Sequence, residues 1–90
     1  MQISYDTAKR DKTLTERGLD FADASVVFAG THFSREDSRQ DYGEVRFITV
    51  GRLHARMVVL VWTLRGADRR IISMRKANER EQDRYRHRLG

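Results

Sequence analysis

Arginine dominates the end of this 90-residue chain. From Arg65 to Gly90 stand nine basic residues (Arg65, Arg69, Arg70, Arg75, Lys76, Arg80, Arg84, Arg86, Arg88) against four acids (Asp68, Glu79, Glu81, Asp83). Residues 1 to 64 hold nine of each sign, so the whole formal charge of +5 comes from the C-terminal part. An arginine stays protonated near neutral pH and presents a planar fork of donors matched to phosphate oxygens. The asymmetry therefore points to a polyanion, and to RNA before other phosphate carriers; the bland reading is a solvated basic helix. On a helix, Arg80, Arg84 and Arg88 share one stripe at i, i+4 and i+8, while Ala77, Glu81 and Tyr85 occupy the next. The arginine stripe is expected to face RNA or an acidic partner. The other stripe is expected to dock the helix and carry Glu81 toward Arg75.

Other chemistries find little support. Without cysteine there is neither a disulfide nor a thiolate metal site, and His32, His54 and His87 lack the close spacing of a zinc set. The acids do not cluster as a calcium loop, and the six glycines form no phosphate-binding loop, so no metal or cofactor is expected. His54 and His87 fall in positions that read as exposed, and a lone His32 at a strand start is more often structural than catalytic. Trp62 closes an apolar run and reads as core or rim packing before a base-stacking platform. That run, Met57 to Trp62, is too short to span a bilayer, and Met1 to Lys9 has no signal-peptide character. These features predict a single cytoplasmic domain over residues 1 to 90.

The elements that must position the arginines follow from periodicity. Ile3 to Tyr5 alternates as a short strand, Asp6 caps a helix over Thr7 to Arg17, and Gly18 closes it. Asp20 caps a second helix in which Phe21, Ala24, Val27 and Phe28 recur until Gly30. Thr31 to Arg35, Val45 to Val50, Met57 to Thr63 and Arg70 to Met74 read as strands, with a hairpin connection at Arg52 to Arg56. Lys76 to Leu89 is rich in helix formers. The order predicts an α+β fold: a small antiparallel sheet of about four to five strands, with two N-terminal helices and one C-terminal helix.

Residues quoted along nearly the whole chain carry a family resemblance. They are Tyr5-Asp6 with Lys9; Gly18-Leu19-Asp20-Phe21; Tyr42-Gly43-Glu44; Arg46-Phe47-Ile48; Gly51; Val58 to Thr63 with Arg65; and Arg70 to Asn78 with Glu81 and Tyr85. In this order the sequence resembles BrnT-family toxins of bacterial type II toxin-antitoxin pairs, whose fold and ribonuclease activity are similar to those of RelE-like toxins. The resemblance implies a BrnA-type antitoxin partner, itself a ribbon-helix-helix DNA-binding protein, and operator binding by the complex rather than by the toxin alone. One departure stands out: the family's first helix commonly ends Lys-His-Gly, and this chain has Glu16-Arg17-Gly18.

Cleavage of RNA without a metal needs a base near the 2′-hydroxyl, cations for the charge developing at phosphorus, and an acid for the leaving oxygen. Arginine fills only the second role, so the positions matching the family, Arg65 and Arg75, are expected to clamp the phosphate. Each has a plainer reading as an arginine paired with Glu81 or Asp68 at the sheet edge. Glu81 and Tyr85, one turn apart, are expected at the catalytic centre, although Tyr85 serves equally well as the docking residue of its helix. Lys9 and Arg46 join Arg80, Arg84 and Arg88 as expected RNA contacts, a solvated lysine being the alternative for Lys9. Strand alternation places Ile71, Ser73 and Arg75 on one face and Arg70, Ile72 and Met74 on the other. The competing functions are a noncatalytic basic nucleic-acid-binding domain and a pure interaction module.

Overall fold

Short polar side chains start the helices where the sequence places them. In the computed structural model, which describes residues 1–90, the Asp6 carboxylate accepts from the amides of Ala8 and Lys9 and opens α1 (Thr7–Arg17). Gly18 closes α1 in the left-handed region at φ 69°, a conformation that costs a side-chain-bearing residue about 1–2 kcal/mol. Asp20 caps a 3-10 turn, Phe21–Asp23, which runs into the six-residue α2 (Ala24–Ala29). The expected second helix is thus two short pieces. Asn78 caps α3 (Glu79–Leu89) in a capping box with Glu81, so α3 starts three residues later than the sequence predicts and Lys76 belongs to a strand.

Five strands form one sheet: β1 (Ile3–Tyr5), β2 (His32–Asp37), β3 (Arg46–Leu53), β4 (Arg56–Arg65) and β5 (Asp68–Lys76), in the order β1-β5-β4-β3-β2. The chain from β2 to β5 runs as an antiparallel meander. The expectation of an antiparallel sheet needs one correction, because β1 pairs parallel to β5, with Ile3 opposite Arg69 and Tyr5 opposite Ile71. Parallel pairing demands a long crossover, which α1, α2 and the first three strands of the meander supply. Past Ile71 the outer side of β5 has no strand partner. There Arg17 donates from Nη1 to the Met74 carbonyl at 2.9 Å.

Alternation along the strands gives the sheet two faces, each buried by different helices. On one, Leu53, Val58, Leu60, Trp62, Ile71 and Met74 pack against Leu19, Phe21, Ala24 and Val27. Trp62 stacks on Phe47 and donates from Nε1 to the buried Thr49 hydroxyl at 2.7 Å, so it is a core residue. On the other face, Ile48, Val50, Met57 and Val59 are covered at one end by Tyr85 and Leu89 of α3.

The alternation expected for β5 fails at one residue. Val61 pairs with Ser73 but Trp62 pairs with Ile71, so Ile72 is an extra residue in a β-bulge. The bulge resets the phase. Ile71 and Met74, 2% and 0% exposed, both point into the α2-side core, while Arg70, Ser73 and Arg75 stand on the α3 side opposite Thr63, Val61 and Val59. Of the β5 arginines only Arg69 turns to the α2 side, where its guanidinium lies 3.9 Å over the Phe28 ring and 5.2 Å over that of Trp62 and its buried Nε has no hydrogen-bond partner.

Helix α2 lies so close to β3 that Gly51 has no room for a side chain. An added Cβ would sit 2.6 Å from Cγ1 of fully buried Val27. Gly51→Ala is therefore expected to lower stability by about 1–3 kcal/mol, the usual cost of overpacking. With Val27→Ala added, the pair should cost less than the sum of the two single changes, because one clash underlies both. Denaturant midpoints of the three variants check this, and simple additivity would contradict the close approach.

Candidate functional site

Only one end of the second face is covered by α3, and the uncovered remainder is lined by arginine. Its centre is a cleft of about 180 Å³ with Ile48, Val59 and Val61 as floor, and with Ser73, Arg75, Glu81, Arg35 and Arg39 around it. Alternation in β2 puts Arg35 here, opposite Ile48. Ser73 also borders a shallow depression against α1, with Lys9, Lys12 and Arg17 on its helical side. On the opposite flank Arg35 borders a groove shared with Phe33, Arg84, Tyr85 and Arg88. Three depressions joined through Ser73 and Arg35 make one basic track across the sheet.

At the cleft, Arg75 and Glu81 form a forked pair: Nη1 donates to Oε1 at 2.7 Å and Nη2 to Oε2 at 2.8 Å. The same carboxylate accepts from the Asn78 amide, so the capping box of α3 and the ion pair to β5 share one side chain. Arg75 holds Glu81 below the usual carboxylate range, with the Asn78 amide adding to the effect against the opposing cost of burial. Glu81 in turn raises the Arg75 pKa further above neutrality. A carboxylate so stabilised in its charged form is a weak base near pH 7, which suits it to orienting Arg75 rather than to taking a proton.

The loop from β2 to β3 carries a second such pair. Asp37, whose side chain has no exposed surface, accepts from Nε and Nη2 of Arg39, each at 2.8 Å, and from the Tyr42 hydroxyl at 3.0 Å. Its carboxyl is held far below the ordinary range, chiefly by Arg39. The Arg46 guanidinium lies 4.2 Å above the centre of the Tyr42 ring and donates to Glu44, which also pairs loosely with Arg65 at 3.6 Å.

The expected site residues divide. Arg75 and Glu81 meet directly. Arg65 lies six residues along β4 from Val59, the partner of Arg75, about 20 Å at roughly 3.3 Å per residue, too far to share one phosphate. Tyr85 is only 6% exposed, its ring tilted against Phe33 at 5.6 Å, and it lines the groove shared with Arg35 and Arg84. Arg80, Arg84 and Arg88 are exposed as their stripe predicts, and Arg88 lies over the Phe33 ring at 4.7 Å. Lys9 is exposed at the α1 end of the track, and Arg46 is half-buried between Tyr42 and Glu44. His54 and His87 are exposed, and His32 bonds through Nδ1 to the Gly30 carbonyl at 2.8 Å, a local structural role. Sequence reasoning missed Arg35, Asp37 and Arg39. The alternation Phe33, Arg35, Asp37 was the signal for the first two.

One face of the sheet in this α+β fold thus carries two arginines, Arg75 and Arg39, each held by a forked bond to a carboxylate. A family model described as "Ribonuclease toxin, BrnT, of type II toxin-antitoxin system" matches residues 5–81, and the chain belongs to this family. The match spans both the α1 end of the track and the Arg75–Glu81 pair, and it implies an RNA substrate and an antitoxin partner. No individual curated protein matches the chain. None of its helices is long and apolar enough to cross a membrane.

Because Gln can also close a capping box, Glu81→Gln isolates the charge of Glu81. A carboxyl held below its unfolded value contributes stability that is complete above that value and is lost as pH falls through the folded one. The Tm gap between the unaltered protein and Glu81→Gln should therefore be full at pH 7 and close as pH drops below about 4.3. A gap unchanged down to pH 3 would contradict the ion pair.

Proposed function

We propose that the protein is a metal-independent endoribonuclease toxin of RelE-like architecture that cleaves RNA in the Arg75 cleft. The observation that carries this reading is the convergence of Arg35, Arg39 and the Glu81-held Arg75 over an apolar floor. When a 2′-hydroxyl attacks the adjacent phosphorus, negative charge accumulates on the phosphate oxygens. Donors fixed beforehand in a partly dry cleft stabilise that charge without reorganising, which is where such sites gain most. Arg75 takes this role. Glu81 holds it in place and orders the first turn of α3. Tyr85 docks α3, and Arg65 and Arg46, at the far end of the face, contact phosphates flanking the scissile one together with Lys9, Arg84 and Arg88.

A BrnA-type ribbon-helix-helix antitoxin would neutralise the toxin by laying acidic or groove-filling residues over the arginine track, and operator DNA would be reached through that partner. The basic charge of the track and the family's type II character support this arrangement. Competition between RNA and antitoxin for the unaltered toxin tests it directly.

Arg75→Ala should cut single-turnover cleavage by about 100-fold or more, the scale for removing one transition-state donor. Arg65→Ala should chiefly raise KM, because its contact is the same in ground and transition states. Activity should persist in excess EDTA. Binding of RNA without any cleavage would favour a noncatalytic nucleic-acid-binding protein, and loss of activity to chelator, restored by one divalent ion, would overturn the mechanism.

The two stripes of α3 should separate cleanly. Replacing Arg80, Arg84 and Arg88 by Gln is expected to flatten the salt dependence of RNA binding by about two contacts' worth of slope with little change in Tm. Tyr85→Ala is expected to lower stability by about 2–4 kcal/mol. A triple variant that keeps its salt slope but melts early would contradict the assignment.

A further inference from the structure

We infer that Arg39 is a preset phosphate contact of the RNA cleft and that buried Asp37 is the residue that positions it. The inference rests on the RNA reading of this face and adds to it a residue pair lying outside the motifs that carry the family resemblance. Asp37 ends β2 opposite Arg46 with its side chain fully buried. Its two oxygens receive four donors: Oδ1 takes the Arg39 amide at 3.3 Å and Nε at 2.8 Å, and Oδ2 takes Nη2 at 2.8 Å and the Tyr42 hydroxyl at 3.0 Å. The Arg39 side chain is nonetheless 64% exposed. A guanidinium has five N–H donors, and this fork consumes two of them, which leaves the Nη1 pair and one Nη2 hydrogen for a ligand.

An exposed arginine ordinarily spreads over many rotamers, and binding must then fix it at an entropic cost. Asp37 removes that cost by fixing Arg39 during folding. Tyr42 makes the arrangement stiffer, since the hydroxyl that braces Asp37 belongs to the ring that carries Arg46. Arg39 and Arg75 line the same cleft, each with a carboxylate of its own. Their mutual repulsion is small beside the stabilisation each takes from its own carboxylate, chiefly Glu81 for Arg75 and Asp37 for Arg39. An anion between the two arginines would relieve that repulsion. The two forked pairs thus grip one RNA strand from opposite sides of the apolar floor, Arg39 on the β2–β3 loop and Arg75 on β5.

The test uses full-length protein, a short single-stranded RNA oligonucleotide, salt-titrated affinity and single-turnover cleavage. Arg39→Ala should reduce the slope of log K against log salt by about 0.7, the value for one phosphate contact on a single strand. Arg39→Lys keeps the charge but cannot form the fork, so it should keep the slope and lose cleavage on the order of tenfold. Asp37→Asn should follow the same pattern: although it raises the net positive charge by one, kcat should fall while the salt slope is retained. A purely electrostatic Asp37 would instead tighten RNA binding and leave kcat alone. Should Asp37→Asn fail to fold, Arg39→Lys at its exposed position decides the matter, and full cleavage by that variant overturns the inference. An unchanged slope in Arg39→Ala, with Arg75→Ala still impaired, overturns the inference alone. Failure of the unaltered protein to bind RNA overturns it together with the reading on which it rests.

Discussion

The forked bond between Arg75 and Glu81 is the interaction on which the site depends. Glu81 belongs to the first turn of α3 and Arg75 is the penultimate residue of β5, so the pair fixes the angle at which the chain leaves the sheet. That angle decides how much of the second sheet face α3 covers. Tyr85 and Leu89 close one end over Val50, Met57 and Val59, and the rest stays open as the arginine cleft. Partly buried, the pair contributes less to net stability than its short distances suggest, because desolvation offsets much of the attraction. Its larger contribution is to hold a guanidinium still over an apolar floor, where a fixed donor acts most strongly on developing charge.

A second constraint, the bulge at Ile72, makes that possible. With regular alternation β5 would send either Ile71 or Met74 out of the core, or carry Arg70 and Arg75 to opposite faces. One inserted residue satisfies both demands: two apolar side chains bury beneath α2, and Arg70, Ser73 and Arg75 share the open face. Arg17 supports the same segment from outside through the Met74 carbonyl. Arg17 is therefore a structural clip on the edge of β5 as well as a border of the basic track.

What the sequence made legible was local. Asp6, Gly18 and Asp20 sit where caps must sit, and each acts through atoms only a few residues away. The arginine stripe of α3 follows from helical period alone, and the resemblance to BrnT toxins rested on residues spread over the length that the family model matches. Legibility ended where partners are distant or phase is broken. Nothing in Ile3 to Tyr5 announces a parallel mate 66 residues on, opposite Arg69, and no glycine or proline marks the bulge at Ile72. Residues 36 to 44 fall between two predicted strands with no sign of a buried acid, because the burial of Asp37 is made acceptable only by Arg39 and Tyr42 folding back onto it. Arg65 and Arg75 looked alike in type and setting, and only the strand register separates them by about 20 Å.

In the proposed function Glu81 acts through Arg75 and transfers no proton of its own. The most direct measurement is a double-mutant cycle on single-turnover RNA cleavage with Arg75→Ala, Glu81→Gln and the two combined, each checked for folding at the assay temperature. If Glu81 only positions Arg75, the combined variant cleaves no more slowly than Arg75→Ala alone. Losses that multiply, with the combined variant slower by the product of the two single effects, would show independent chemistry at Glu81 and contradict the account.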